Sequence, residues 1–247
     1  MAKKEESTEL VNWEERLAGD AKDVAATERP SVSRISVRSG ILSYEDTPYP
    51  DNALDCIVVN HAFENRWYDT DWDPDNIVPP RCFALAFNKD ELAPHANADA
   101  QAKSCGECPK SKWGSDPRPT SKGKACGEIR RLAIIPFSPE LTPEMVAEAE
   151  LAMLSIPVTS VKNWSNYVNK VGAAYRRPPW AVVTTIKVVP DQKTQFKITF
   201  DSPKALDDEL LGALDAKRGA VIPSLMQPYD PPAPAGEEGV ADDSDKY

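Results

Sequence analysis

Between Cys105 and Arg131 the chain reads Cys-Gly-Glu-Cys-Pro-Lys-Ser-Lys-Trp-Gly-Ser, then a Pro/Ser/Gly-rich loop, then Gly-Lys-Ala-Cys-Gly-Glu-Ile-Arg-Arg. Cys105 and Cys108 are spaced so that one tight turn can point both thiolates at a single ion. Cys126 sits in a second turn bounded by Gly123 and Gly127, where the backbone can wrap close to that ion. So few apolar residues lie here that a metal would have to supply the organising energy a core cannot. Three thiolates leave a tetrahedral site one ligand short. His95 gives His-x9-Cys-x2-Cys-x17-Cys, a zinc site of three thiolates and one imidazole, one ion per chain. Cys82 is the alternative, and would give an all-thiolate site for zinc or an iron–sulfur cluster. His95 is preferred because Pro94-His95-Ala96-Asn97 reads as a loop, whereas Cys82 opens the apolar run Cys82–Phe87.

Charge around the thiols points to a ligand. Eight basic residues (Lys103, Lys110, Lys112, Arg118, Lys122, Lys124, Arg130, Arg131) face three acids (Glu107, Asp116, Glu128), a balance of +5 in a chain of net charge −10. Segregation continues elsewhere. Residues 41–80 carry nine acids and one base, and residues 160–200 carry seven bases (Lys162, Lys170, Arg176, Arg177, Lys187, Lys193, Lys197) and one acid. Cations for phosphates beside a flat ring for a base are what a nucleic-acid contact needs. The candidate contacts are Lys110, Lys112, Lys122, Lys124, Arg130, Arg131, Lys162, Lys170, Arg176, Arg177, Lys187 and Lys197. Trp113, Tyr167, Tyr175 and Trp180 are the candidate stacking platforms. Five cysteines, three of them at metal spacing, suit a reducing compartment better than a disulfide framework. The start of the chain lacks the apolar segment of a signal peptide, and no run reaches membrane-span length.

Hydrophobic periodicity predicts a mixed α+β chain, mainly β. Strands are expected over 31–37, 54–61, 81–88 and 131–137, and the cysteine loop is then an insertion between two of them. Helices are expected from Thr142-Pro143 through Met153, from Thr159 or Ser160 with Val161, Trp164, Val168 and Val171 on one side, and from Ser202-Pro203 to Gly219. Between the last two lies a hairpin of 180–189 and 194–200. Its return strand sets Phe196, Ile198 and Phe200 on one face and Gln195, Lys197 and Thr199 on the other. Residues 1–30 read as an N-terminal arm with a short amphipathic pattern at Leu10, Trp13 and Leu17. Residues 31–226 read as the domain, and the Pro-rich, acidic 227–247 as a disordered tail.

Short strands, interrupting helices, a basic cysteine flap and an acidic tail ending in an aromatic together resemble bacteriophage single-stranded DNA-binding proteins of the OB-fold type. The likeness rests on Cys105-Gly-Glu-Cys108 … Gly123-Lys-Ala-Cys126 with its Arg130-Arg131 exit, and on Asp242-Asp243-Ser244-Asp245 before Tyr247. The resemblance implies an OB-fold-like barrel with a zinc subdomain, and sequence-non-specific ssDNA binding in replication, recombination or repair within the infected bacterium. It also implies replication or recombination proteins docking on the tail, through Asp242, Asp243, Asp245 and Tyr247. No compact catalytic constellation is visible, so binding rather than an enzyme is expected. The rival readings are a metal-dependent nuclease using Asp69, Asp71, Asp73 and Asp75, and a zinc-stabilised interaction or virion component.

Overall fold

The computed structural model describes residues 16–17, 33–71, 73 and 76–230. The chain divides into two compact units, Met1–Val32 and Ser33–Tyr247. Of the first only Arg16 and Leu17 are described, so most of the expected N-terminal arm lies outside the described residues. The second unit is a mixed α+β fold around a strongly curled, half-barrel sheet. Its strands are β1 (Ser33–Arg38), β2 (Ile41–Tyr44), β3 (Thr47–Pro48), β4 (Ala53–Trp67), β5 (Cys82–Ala86), β6 (Gly127–Pro136), β7 (Ala152–Ile156), β8 (Val182–Asp191) and β9 (Gln195–Ala205). Their order is β3-β2-β1-β7-β6-β4-β8-β9, with β5 branching from β4. All pairings are antiparallel except β1 with β7.

The spine is β4, which sequence periodicity ends six residues early. Its first residues pair with β8, its length with β6, and its end with β5. A register shift against β6 falls between Val58 and Asn60. Before the shift Leu54, Cys56 and Val58 face one core and Ile57 and Val59 the other; after it Ala62 joins the second core. An extra residue reverses the alternation and sharpens the local twist, which bends the sheet toward a barrel.

The first core is closed by α2 (Val158–Tyr175), whose Trp164, Tyr167 and Val171 meet Leu132, Ile134, Leu154, Ile186 and Ile198. Trp164 stands edge-on to Phe200 at 5.3 Å, and Tyr167 shares a 2.6 Å hydrogen bond with Thr184. Truncating Trp164 to Ala would cost about 3–5 kcal/mol. The helix stops where Arg176 turns left-handed (φ 50°) ahead of Pro178-Pro179.

The second core is closed by α1 (Pro143–Glu148), α3 (Asp208–Ala220) and the short α4 (Ile222–Leu225), through Val146, Leu210, Leu214, Val221 and Leu225. Thr142 caps α1 as its sequence predicts, accepting from Met145 N at 3.3 Å. That helix ends at Glu148, however, because Ala152–Ile156 is drawn into the sheet as β7. The hairpin and its faces are as expected, with Phe196, Ile198 and Phe200 all on the first core. The last helix starts six residues later than Ser202 suggests. β9 runs through Ala205, and Asp207 is the cap, accepting from Leu210 N at 3.0 Å. Among the described residues no helix is long and apolar enough to cross a membrane.

Candidate metal centre and nucleic-acid interface

The insertion between β5 and β6 is stitched by its own backbone. Cys126 N donates to Lys110 O at 2.9 Å, Gly114 N to Gly123 O at 2.8 Å, and Cys105 N to Leu92 O at 3.1 Å. Ser115 Oγ donates to Lys110 O at 2.8 Å and accepts from Ala125 N at 3.0 Å. Gly114 has φ +83°, a conformation a side chain would strain, and it turns the chain just after Trp113.

Strand register decides which cysteines meet. Cys82, the first residue of β5, pairs with Trp67 at the end of β4. Cys126 immediately precedes Gly127, which pairs with Arg66, so it too falls opposite Trp67, from the other side of β4. Side chains opposite one another in a sheet share a face. Cys82 and Cys126 therefore share Trp67's face, and Asn65 two residues earlier does so as well. Cys105 and Cys108 fold onto the same place, and all four thiols line one cavity of about 10 Å³. Burial raises the thiol pKa of Cys82 and Cys105, and pushes that of Cys126 up to about 12, with the neighbouring thiols adding to each rise. Among the described residues no group of three or more His, Cys, Asp or Glu is arranged to hold a metal ion as placed.

His95, the expected fourth ligand, does not line this cavity. Its ring stacks on Phe83 (5.0 Å between centroids, 18° between planes), and Phe83 alternates with Cys82 and Ala84 along β5. Its Nδ1 accepts from Asn97 N at 3.1 Å. The fifth thiol, Cys56, lies in the first core, where burial raises its pKa.

The expected nucleic-acid contacts divide into three groups. Arg130, Arg131 and Tyr167 are buried. Arg130 lies 4.0 Å over the Phe63 ring, and Arg131 Nε donates to Glu64 Oε2 at 2.7 Å. Both guanidiniums expected on phosphates lie within the fold, on β6, which begins at Gly127, four residues before the expected strand start. A second group is exposed or half-buried but engaged. Lys170 bonds Asp201 at 3.1 Å, Lys197 bonds Asp191 at 3.1 Å, and Arg177 donates to Leu206 O at 2.6 Å. Trp180 lies under the Arg218 guanidinium, and Lys110 stands 4.4 Å over the Trp67 ring.

The third group is open. Trp113 is 79% exposed, the most exposed aromatic among the described residues. Lys124 Nζ lies 5.4 Å from its centroid while also pairing with Glu128, and Lys112 and Lys122 are exposed. Lys162, Arg176 and Lys187 are exposed too. Lys187 and Lys170 border a shallow groove of about 480 Å³ with Thr185, Thr199, Phe200 and Asp201. Of the acidic cluster, Asp69 lies 3.7 Å from Arg81 and Asp71 and Asp73 are exposed, while Asp75 falls outside the described residues.

The start of the expected tail is not loose. Tyr229 OH donates to Glu64 Oε1 at 2.6 Å, and its ring stands edge-on to Phe83 at 5.1 Å with Arg131 on it. Arg131 Nη1 donates to Gln227 O at 2.6 Å and Leu225 O at 3.2 Å. Residues 227–230 are thus part of the fold, and 231–247, with Asp242, Asp243, Asp245 and Tyr247, lie outside the described residues. Sequence reasoning missed Tyr229 because a Pro-rich context hides a single anchoring aromatic. Compared with known proteins, the chain matches no family model, no curated protein and no solved structure.

Proposed function

We propose that this chain binds single-stranded DNA without sequence preference, as a binding protein rather than an enzyme, in replication, recombination or repair. The observation that carries the reading is Trp113, 79% exposed on a loop stitched at both ends and flanked by Lys112, Lys122 and Lys124. A solvated indole gains little from water, and every base offers a face on which it can stack. Lys124 above that ring and the neighbouring ammonium groups supply a sequence-blind attraction to phosphate. Lys187 and Lys170 border a separate groove on the hairpin, near the start of β4, where Asp201 limits the net charge.

The test is a fluorescence-anisotropy titration of labelled oligo-dT, duplex DNA and RNA with the full chain, at several salt concentrations. The expected result is preference for the single strand, with log K falling linearly against log salt. Absence of binding to any of the three at low salt would refute the proposal.

A further inference from the structure

We infer that Cys82, Cys105, Cys108 and Cys126 form a four-thiolate zinc centre that clamps the inserted loop onto the converging ends of β4, β5 and β6. The inference is independent of the nucleic-acid reading, and its test reads metal rather than DNA. Three observations carry it. First, four of the five cysteines line one cavity of about 10 Å³. That is about the space of one water molecule, the size of a single ion. Second, the sheet register sets Cys82 opposite Trp67 on one side of β4 and Gly127, the neighbour of Cys126, opposite Arg66 on the other, while Cys126 N also donates to Lys110 O at 2.9 Å. Two ligands thus come from rigid strand ends and two from the Cys105–Cys108 turn.

Third, hydrogen-bond donors surround the sulfurs. Asn65 stands beside Cys105, the Gln101 backbone beside Cys82, and Ser111 on the same wall as Cys126. Ser111 Oγ is buried with no conventional partner. A neutral thiol accepts such bonds weakly; a thiolate accepts them strongly, and outer-shell donors of this kind are usual around metal-bound sulfur. Four sulfurs around one small ion select zinc, with Zn–S bonds of about 2.3 Å. Loading would release the thiol protons. Lys110 and Ser111 lie on this wall, and Trp113 follows two residues later, so the ion also fixes the base of the exposed indole.

The experiment is metal analysis of the full chain purified under reducing conditions with zinc present, followed by replacement of zinc with cobalt(II). About one zinc per chain is expected, and the cobalt form should show the visible bands of tetrahedral tetrathiolate coordination. Cys82→Ser should weaken zinc at least about a hundred-fold, since losing a ligand costs more than losing an outer-shell partner. His95→Ala should leave both affinity and cobalt spectrum unchanged. The cobalt spectrum of the unmutated chain counts sulfurs directly, so the inference stays testable even where Cys82→Ser fails to fold. A spectrum of three sulfurs and one nitrogen, loss of metal in His95→Ala, a brown iron–sulfur chromophore, or a metal-free chain would each overturn it.

Discussion

Replacing Arg131 by methionine should unfold this protein far more readily while leaving its affinity for single strands intact. Glu64 has no solvent exposure at all, and its two carboxylate oxygens are held by Arg131 Nε at 2.7 Å and Tyr229 OH at 2.6 Å. Arg131 Nη1 additionally satisfies the carbonyls of Leu225 and Gln227. Methionine fills much of the space but leaves a buried carboxylate without its counter-charge, at a cost of about 3–5 kcal/mol. The partner change Glu64→Leu in the same chain removes the stranded charge and should restore most of that loss, since apolar replacement of both members of a buried pair is often neutral. Urea unfolding of the two single variants and the double variant reads the coupling directly. Arg131→Glu should be worse still, because it sets two carboxylates against each other. An Arg131→Met protein as stable as the parent, with a DNA salt slope lower by about 0.7, would make Arg131 a phosphate contact and refute the argument.

Trp113→Ala should weaken oligo-dT by about 5- to 150-fold, the worth of one stacked base at about 1–3 kcal/mol, and leave the urea midpoint unchanged. Equal affinities would remove Trp113 from the interface. Lys112→Gln with Lys122→Gln should lower the log–log salt slope by about 1.4, or about 0.7 for each phosphate contact, measured by the same titration. His61, beside Trp164 at 5.5 Å, has its pKa lowered to about 4, by burial first and then by Arg130 and Arg218. The unfolded chain therefore binds the extra proton between about pH 6.5 and 4, and stability should fall as pH drops through that window. His61→Gln should remove that part of the pH dependence in urea titrations, and an unaltered profile would show that His61 contributes nothing to it.

Local pattern carried much of this protein. The alternation of Phe196, Ile198 and Phe200 settles the faces of the last hairpin, since a strand's period of two needs no partner to be read. Thr142-Pro143 marks a helix start because capping is a contact of neighbours in sequence. The apolar stripe of 161, 164, 168 and 171 likewise marks the buried side of α2. Cys105, Cys108 and Cys126 stand out by spacing alone. What the tertiary structure decided is everything that depends on register between distant strands. Cys82 rather than His95 meets those cysteines because β5 pairs with β4 so that Cys82 falls opposite Trp67. Arg130 and Arg131 are interior because β6 starts four residues before the run their charge appeared to end. Ala152–Ile156 is a strand although its residues favour helix, because β1 and β6 flank it on both sides. Local sequence encodes period and caps. Pairing partners tens of residues away are chosen by the burial and hydrogen bonding of the whole sheet, and the candidate metal ligands inherit that choice.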